Sequence, residues 1–252
     1  MGGTGGLGQA AARRFLEEGA RVLLAGHDAQ AGHAATQALS PLGPCSFLPC
    51  DATQPDQVDR LLAHAVATLG GLDVLYHLAG GSGRRHGDGP LHECSDDGWR
   101  WTLDTNLTSA FLTNRAAVRH WLSRRQPGVI LNLASVLALA PAPHHFDTAS
   151  YAAAKAGMIA LSRSAAARYA ADGIRVNVLA PGLIDTPMAH RAVSDPDIAH
   201  YLKTKQPLRA GPGRPEDCAD AAAFLCSDAA RLVTGAVLPV DGGWCVSEGQ
   251  RG

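Results

Sequence analysis

The chain has 252 residues, 46% of them hydrophobic and 18% charged, with a formal net charge of −1. This length suits one large α/β domain or two small ones, and the near-neutral charge gives no electrostatic reason to expect a nucleic-acid or acidic-membrane partner. No apolar run approaches the ~20 residues of a membrane span, and no basic region followed by an apolar stretch begins the chain, so we expect a cytoplasmic protein.

A glycine-rich segment opens the chain and leads directly into a helical pattern. Gly2-Gly-Thr-Gly-Gly-Leu-Gly8 is followed by residues 9–18, a predicted helix that ends at Gly19. Glycines let a backbone approach a pyrophosphate closely, and a helix N-terminus offers free N–H groups and the positive end of its dipole. A flexible N-terminal tail is the alternative, but the helix and the strand that follow favour a dinucleotide-binding loop.

Short apolar segments alternate with helical patterns along the rest of the chain. The predicted strands are residues 21–25, 45–48, 73–78, 129–134, 174–179 and 236–240. Two clear helices are residues 58–69 and a helix from Pro215 to about Ser227. This alternation predicts an α/β fold with a Rossmann-like, doubly wound parallel sheet and helices on both faces, in a single domain spanning residues 1–252. Residues 183–212, rich in proline and polar groups, are predicted to form a lid over the substrate.

Two Tyr-x-x-x-Lys pairs occur in the sequence, and this spacing places both side chains on one face of a helix. Tyr151 and Lys155 open a long alanine-rich helix, whereas Tyr201 and Lys205 lie among prolines and glycines that favour a short solvated helix or a loop. A free phenol has a pKa near ~10 and is a poor base at neutral pH. Because a neighbouring cation stabilises the phenolate, Lys155 is expected to lower the pKa of Tyr151 towards the range that suits acid–base catalysis.

Cysteines and histidines show neither a disulfide framework nor a metal-binding motif. The six cysteines have no Cys-x-x-Cys spacing, and the eleven histidines include no His-Glu-x-x-His motif. We therefore expect reduced thiols and no bound metal ion.

Several motifs follow one another in a recognisable order. They are the Gly-x-x-x-Gly-x-Gly pattern of Gly2, Gly6 and Gly8, then His77-Leu-Ala-Gly80, Asn106, Ser135, Tyr151 with Lys155, Asn177, Pro181-Gly182, Thr186 and Val240-Asp-Gly-Gly243. In these motifs the whole chain resembles the short-chain dehydrogenase/reductase family, and in particular its single-domain members of about this length. Many dispersed motifs in the right order are far more specific than any one of them.

The resemblance implies an NAD(P)-dependent oxidoreductase that interconverts an alcohol and a ketone by hydride transfer. Tyr151 would pass a proton to or from the substrate oxygen, and Ser135 would hold that oxygen by a hydrogen bond. Lys155 would also hold the nicotinamide ribose, and Asn106, in a helix beginning around Leu107, would position a water linked to Lys155. The alternatives are a hydrogen bond within a loop for Ser135 and a helix cap for Asn106. The implied cofactor-binding residues are Gly2, Thr4, Gly6, Leu7, Gly8, His27, Asp51, Ala52, Ala79, Gly80, Tyr151, Lys155, Pro181, Gly182, Ile184 and Thr186, the last at the nicotinamide carboxamide.

The residues after the first two predicted strands concern the choice of cofactor. Members of the family that prefer NAD carry an acidic residue that binds the ribose hydroxyls, where this chain has Gly26 and His27. Asp28 is expected to cap the next helix. We predict a preference for NADP over NAD, with His27 beside the 2′-phosphate. Asp51 fits a contact with the adenine amino group, and capping of the helix that begins near Pro55 is the alternative.

Two regions depart from the family pattern. His77 and Leu78 replace two asparagines that normally brace the central strands, so some bracing must come from elsewhere. The stretch between Ser135 and Tyr151 is a few residues longer than expected, and its residues 141–146 should reshape the substrate pocket.

The sequence does not name the substrate. We expect a small-molecule alcohol or carbonyl compound, and a homotetramer or, failing that, a homodimer. Residues 84–86, Arg-Arg-His, either form a solvated surface loop, which we favour, or attract an anionic substrate. A non-catalytic dinucleotide-binding sensor or assembly subunit is the alternative function, and the intact Ser135, Tyr151 and Lys155 argue against it. An epimerase or dehydratase would need a larger C-terminal region than follows Pro181.

No strand precedes the glycine loop in this sequence. The family has an apolar strand there, at the centre of the sheet, whereas Met1 stands directly before Gly2. Burying about four apolar side chains of such a strand is worth roughly 1.5–3 kcal/mol each, against a typical total stability of ~5–15 kcal/mol. We therefore expect the natural chain to begin several residues upstream, and the chain as written to bind cofactor weakly or to unfold at low temperature.

Overall fold

The structure, a computed structural model, describes residues 1–248. Its strands are β1 (Val22–Gly26), β2 (Cys45–Pro49), β3 (Val74–His77), β4 (Gly128–Leu133), β5 (Ile174–Pro181) and β6 (Val237–Val240). Its α-helices are α1 (Gly6–Glu17), α2 (Ala29–Leu39), α3 (Pro55–Leu69), α4 (Asp96–Leu103), α5 (Ser109–Arg124), α6 (Pro143–Phe146), α7 (Ala149–Tyr169), α8 (His190–Val193), α9 (Pro196–Lys205) and α10 (Pro215–Cys226). A π-helical turn, Asp104–Thr108, joins α4 to α5. All six predicted strands are present, and each end lies within two residues of its predicted position.

All strand pairs are parallel, and the strands form two sheets. β1 pairs with β2, and the second sheet has the order β3-β4-β5-β6. In the second sheet His77 lies opposite Asn132, and Pro181 lies opposite Val240. Because parallel strands end at the same edge, the residues that follow β3, β4 and β5 are brought together there.

Met1 and Gly2 lie between the two sheets and connect them. The Met1 nitrogen donates a hydrogen bond to Tyr76 O at 2.8 Å, and Leu78 N donates to Met1 O at 2.8 Å. On the other side, Gly2 N donates to Ala25 O at 2.8 Å. Within residues 1–248 no strand lies between β1 and β3, as predicted, and the sheet is divided at this point.

Helices cover both faces of the sheets. α1 and α10 pack on one face, against Leu131 and Leu133, and α5 and α7 pack on the other, against Ile130. Neighbouring residues of β4 therefore face opposite cores, as expected for a strand that is buried on both sides. The predicted doubly wound α/β arrangement is confirmed. In the described part of the chain, no helix is long and apolar enough to cross a membrane.

Local sequence explains where several helices begin and end. Asp28 caps α2, as predicted, by accepting a hydrogen bond from Ala31 N at 2.9 Å. Pro55 occupies the first turn of α3, where its missing N–H costs nothing, and Gly70 ends that helix with a φ of +83°. Asp195 caps α9 through Asp197 N and Ile198 N.

The segment predicted as a lid contains α8 and α9. Its apolar side chains are buried against the loop after β4 and the C-terminal segment: Ile198 and Leu202 pack with Val136 and Trp244. The segment is thus joined to the rest of the protein by its own small core.

Tyr201 and Lys205 lie on α9, and the prediction of a solvated pair is wrong. Lys205 is only 9% exposed, and its Nζ donates to Ser247 O at 2.7 Å. The Tyr201 ring lies 4.8 Å from the ring of His145 and 5.8 Å from that of Trp244. The apolar and aromatic neighbours, rather than the local propensity of the segment, decide the environment of this pair.

Candidate active site

A cleft of about 1300 Å³ lies beside the carboxyl ends of the strands. The predicted site residues that line it are Gly2, Thr4, Gly6, Leu7, His27, Asp51, Ala52, Ala79, Gly80, Ser135, Tyr151, Lys155, Pro181, Gly182, Ile184 and Thr186. Gly8 and Asn106 are not on its surface. Residues spread over most of the sequence are therefore brought to one place by the parallel strands.

Close backbone contacts explain two glycines of the loop before α1. Gly2 has a φ of +81°, and a β-carbon there would lie 2.6 Å from Ala79 N. A β-carbon at Gly8 would overlap the carbonyl oxygen of Gly2, so Gly8 allows α1 to approach the loop. Gly8 does not line the cleft, and the predicted contact of Gly8 with the cofactor stays a prediction. Gly6 does face the cleft, and a β-carbon there would lie 3.2 Å from Cγ2 of Thr186.

The first turn of α1 fits the phosphates of a dinucleotide. α1 begins at Gly6, and its N-cap, Gly5, offers no side-chain acceptor to the free N–H groups. No acidic residue lies in this turn, and a β-carbon at Gly5 would meet no atom within 4 Å. Free N–H groups, the positive end of the dipole and open space suit a pyrophosphate.

The loop after β1 forms one end of the cleft. Gly26 ends β1, and the exposed His27 follows it. A β-carbon at Gly26 would lie 3.1 Å from Thr4 Oγ1, so a side chain fits there only if Thr4 moves. No carboxylate occupies this position, as the sequence predicted.

Asp51 follows β2 and lines the same end of the cleft. Its Oδ1 accepts hydrogen bonds from Thr53 N at 2.9 Å and Thr53 Oγ1 at 2.8 Å. The N-cap of α3 is Gln54, so the alternative that Asp51 caps this helix is wrong.

The first turn of α7 positions Tyr151. The N-cap residue, Thr148, makes no capping hydrogen bond through its side chain. Instead Asp88, which is 6% exposed, accepts from Ser150 N at 3.0 Å, Ser150 Oγ at 2.7 Å and Tyr151 N at 3.0 Å. A carboxylate here also interacts favourably with the helix dipole. Sequence analysis missed Asp88, because no local pattern connects it to a helix more than sixty residues away.

Tyr151, Ser135 and Lys155 meet at one wall of the cleft. Lys155 is 2% exposed, its Nζ donates to Leu133 O at 2.7 Å, and it lies 5.6 Å from the centre of the Tyr151 ring. Ser135 Oγ accepts from Leu137 N at 3.2 Å, and Ser135 lies close enough to Tyr151 to lower the pKa of its hydroxyl. Ser135 therefore has a local role in its loop and also faces the cleft.

Burial controls the charges of this group. It raises the pKa of Tyr151 to about 12, although the Ser135 hydrogen bond lowers it, and it lowers the pKa of Lys155 to about 7. The expectation that Lys155 lowers the pKa of Tyr151 is therefore wrong for this structure. Loss of hydration around the phenolate dominates, and the ammonium itself is only partly charged near neutral pH. Tyr151 is a neutral phenol there, able to donate a proton.

Asn106 lies behind the wall, fully buried in the π-helical turn. Its Nδ2 donates to Gly81 O and Thr102 O, both at 2.9 Å, and its Oδ1 accepts from Gly81 N at 3.1 Å. A β-carbon at Gly80 would lie 2.5 Å from Asn106 Oδ1 and 3.2 Å from Lys155 Nζ, so both groups converge on this glycine. The helix runs through Asn106 rather than beginning beside it, so the predicted start and the cap alternative are wrong.

His77 braces β3 where the family has an asparagine. Its buried ring places Nδ1 2.9 Å from Thr113 Oγ1 and Nε2 3.3 Å from Ser109 Oγ, both on α5. Burial lowers the pKa of His77 well below its ordinary value, so the ring is neutral. The bracing that was expected to come from elsewhere thus comes from His77 itself.

Apolar and aromatic side chains line another part of the cleft wall. This part of the wall consists of four side chains: Leu137, Phe146, Met188 and Trp244. Trp244 is held by a hydrogen bond from Nε1 to Ala140 O at 3.1 Å, and its ring lies 5.6 Å from that of Phe146. Phe146 belongs to the inserted segment, which forms α6, so the insertion shapes the pocket as predicted.

The six cysteines are free thiols. Within residues 1–248, no three His, Cys, Asp or Glu side chains are grouped closely enough to hold a metal ion.

Known proteins match this chain along nearly its whole length. Residues 2–245 match a family model described as enoyl-(acyl carrier protein) reductase. Cis-4-hydroxycyclohexanecarboxylate dehydrogenase of Sinomonas cyclohexanicum is 40% identical over 96% of this chain and 94% of that protein. 3β-Hydroxysteroid dehydrogenase 1 of Eggerthella lenta is 38% identical over 98% of this chain and 93% of that protein. A short-chain type dehydrogenase/reductase structure from Mycobacterium ulcerans superposes with a TM-score of 0.90 at 30% identity, over 98% of this chain and 89% of that one.

These matches agree with the parallel sheet, the glycine loop and the cleft. The relatives are dehydrogenases by name, so the non-catalytic alternative finds no support. The chain belongs to the short-chain dehydrogenase/reductase family, and it is an NAD(P)-dependent oxidoreductase that interconverts alcohols and ketones.

Proposed function

We propose that Tyr151 is the acid–base group of an enzyme that interconverts a secondary alcohol on a ring and the corresponding ketone, with NADP as the preferred cofactor. The observation that carries this proposal is the meeting of Tyr151, Ser135 and Lys155 at one wall of the cleft. The same cleft is lined by a glycine loop that suits a dinucleotide.

In the reducing direction, Tyr151 donates its phenolic proton to the carbonyl oxygen. Ser135 donates a hydrogen bond to the same oxygen and so orients it towards the phenol. The nicotinamide, when bound, supplies a hydride to the carbonyl carbon and accepts one in the reverse reaction. The pKa of Tyr151, raised to about 12 by burial, keeps the phenol protonated at neutral pH. Alcohol oxidation requires the phenolate, whose population increases with pH.

Lys155 and Asn106 are the two further residues assigned a role beside Tyr151. The hydrogen bond from Lys155 Nζ to Leu133 O fixes the lysine side chain and leaves two of its N–H groups for the ribose hydroxyls. Asn106 fixes the backbone of Gly81 beside it. We assign to Asn106 the ordering of a water that links Lys155 to solvent.

The preference for NADP rests on the loop after β1. Gly26 presents no carboxylate to repel a 2′-phosphate, and the exposed His27 lines the cleft beside it. Asp51 would bind the adenine amino group, and Thr186 would bind the nicotinamide carboxamide. Other residues of the cleft wall would also contact the cofactor: Ala52, Ala79, Pro181, Gly182 and Ile184.

A cyclic substrate fits the apolar part of the cleft. Phe146 and Trp244 offer flat aromatic surfaces, with Leu137 and Met188 beside them. The names of the two curated relatives describe hydroxyl groups on a cyclohexane ring and on a steroid. Both lines of support favour a ring over an open chain.

The organisation of the molecule is part of the same proposal. We infer a single catalytic domain in which residues 183–212 act as a lid, because Met188, Ala189 and Arg191 of that segment line the cleft. We also infer a cytoplasmic homotetramer or homodimer. Leu232 and Val246, which are 94% and 90% exposed, and the exposed Phe111 on α5 are apolar side chains that an interface would cover.

A panel of ketones with NADPH and NADH tests the proposal. Cyclohexanone and 4-substituted cyclohexanones should be reduced faster than 2-hexanone, and each should give the higher kcat/KM with NADPH. Equal or faster reduction of 2-hexanone would contradict the ring preference, and turnover of none of these ketones would contradict the proposed substrate class.

A further inference from the structure

Three arginines line the cleft that contains Tyr151: Arg13 on α1, which carries the glycine loop at its start, and Arg84 and Arg191 from two other segments. Arg84 lies on the 3₁₀ turn Gly83–His86 after β3, and Arg191 lies on α8 in the lid segment. Among residues 1–248, neither forms an ion pair with a carboxylate. They therefore place two cations at the cleft with no carboxylate of the described residues within ion-pair distance.

The two guanidinium groups act on each other. Partial burial and then the charge of Arg191 lower the pKa of Arg84, while Asp88 and Asp147 raise it. Asp88 offsets part of this repulsion but forms no ion pair with Arg84, and its carboxylate oxygens accept hydrogen bonds at the start of α7. Asp147 contacts Arg84 only through its backbone oxygen, at 3.2 Å from Nη2. An anion between the two arginines would relieve their repulsion.

The turn that carries Arg84 is held in place before any ligand binds. His86 stacks on Trp101 with ring centres 3.8 Å apart, and Ser82 caps the turn through Arg84 N at 3.4 Å. Because this scaffold is fixed, binding an anion costs less conformational entropy than it would on a free loop. On the other side, the buried Ala192 anchors α8 beside Arg191.

We propose that Arg84 and Arg191 bind a carboxylate of the substrate, remote from the carbon that is oxidised or reduced. The assignment rests on the proposed function and names its substrate class as a cyclic hydroxy acid and the matching keto acid. The apolar wall of Leu137, Phe146 and Trp244 has no charged group to bind an anion. The acids that line the cleft elsewhere, Asp51, Asp104 and Glu216, are not among the groups that alter the pKa of Arg84.

The test compares 4-oxocyclohexanecarboxylate with its neutral carboxamide, using the complete enzyme with NADPH. Charge-assisted hydrogen bonds to guanidinium groups should give the carboxylate a kcat/KM about tenfold or more above that of the amide. The preference should reside in KM and should fall as salt is added. In Arg84→Gln and Arg191→Gln this preference for the carboxylate over the amide should largely disappear.

Arg85→Gln is the matched control, because Arg85 shares the turn with Arg84 but does not line the cleft. It should keep the preference for the carboxylate. Arg191→Gln guards against a structural effect of Arg84→Gln, since Arg84 also contacts the Asp147 backbone. Equal kcat/KM values for carboxylate and amide in the wild type would overturn the proposal, as would a preference that survives in both cleft variants.

Binding of cyclohexanecarboxylate, measured by calorimetry, separates failure of this site from failure of the proposed reaction. Binding that Arg84→Gln and Arg191→Gln weaken, and Arg85→Gln does not, supports the anion site even if no cyclohexanone is turned over. Reduction of neutral cyclohexanone without any difference between carboxylate and amide rejects the anion site and leaves the proposed reaction standing.

Discussion

The buried carboxylate of Asp88 should be worth several degrees of thermal stability, because it holds the first turn of α7. In Asp88→Asn, one carboxylate oxygen becomes an amide NH₂ that cannot accept a hydrogen bond. If the remaining oxygen still accepts from Ser150 N and Ser150 Oγ, the new amide NH₂ takes the place of the oxygen that lies 3.0 Å from Tyr151 N. The N–H of Tyr151 then meets another donor and loses its hydrogen bond. A buried unsatisfied donor costs ~1–3 kcal/mol, and loss of the negative charge at the helix N-terminus costs ~0.3–1 kcal/mol.

These terms translate into a measurable change in Tm. About 1.3–4 kcal/mol in a protein of this size, at roughly 2–4 °C per kcal/mol, corresponds to a decrease in Tm of roughly 3–16 °C. Because the disturbed turn carries Tyr151, kcat should also fall by about tenfold or more, while the Kd of NADPH changes little. Asp88→Ala loses all three hydrogen bonds and should be at least as unstable.

Asp96→Asn is the control for Asp88→Asn. Asp96 is an exposed acid in the first turn of α4, so it shares the interaction with a helix dipole but lacks the buried hydrogen bonds. Thermal unfolding by circular dichroism and steady-state kinetics would be measured on both variants. If Asp88→Asn and Asp96→Asn had the same Tm and the same kcat, the assigned role of Asp88 would be wrong.

Three further predictions follow from the cleft. Gly26→Asp should move the cofactor preference from NADPH towards NADH, since it adds a carboxylate at a position where the β-carbon would lie 3.1 Å from Thr4 Oγ1. A wild-type kcat/KM that favours NADH by tenfold or more would reject the proposed NADP preference of the loop after β1. Because the pKa of Tyr151 is about 12, the rate of alcohol oxidation should increase about tenfold per pH unit at neutral to mildly alkaline pH, while the rate of ketone reduction stays nearly constant. A pH-independent rate of oxidation would argue against Tyr151 as the base. Burial lowers the pKa of Lys155 from 10.5 to about 7, so between pH 7 and pH 10.5 the unfolded chain binds a proton that the folded chain does not. The free energy of unfolding of the wild type should therefore rise with pH relative to that of Lys155→Met. Parallel pH profiles of the two proteins in urea unfolding would contradict the burial of this ammonium.

Local sequence was sufficient for the strands, and the family resemblance supplied the residues of the cleft. Apolar runs and glycine or proline boundaries located all six strands, because strands buried on both faces leave a strong continuous signal. The parallel order then brought Ser135, Tyr151 and Lys155 to one edge. What depended on contacts between distant segments could not be read from the sequence.

Three findings show this dependence on surroundings outside the local pattern. Asp88 reaches α7 from the loop after β3, and Lys205 is buried by the C-terminal segment rather than solvated. The pKa of Tyr151 rises because burial removes water, a quantity that the spacing of Tyr151 and Lys155 does not contain. In each case the deciding neighbour or environment lies outside the local pattern.

The most direct test of the assigned chemistry compares Tyr151→Phe with Tyr201→Phe. Tyr151 lines the cleft, whereas Tyr201 belongs to the other Tyr-x-x-x-Lys pair and packs against His145 and Trp244. We expect Tyr151→Phe to lower kcat for ketone reduction by ~10²–10⁴, with the Kd of NADPH nearly unchanged in a fluorescence titration, because only the acid–base proton is lost. Tyr201→Phe should retain most of the activity. Equal loss of kcat in the two variants, or full activity in Tyr151→Phe, would contradict the assignment of Tyr151 as the acid–base group.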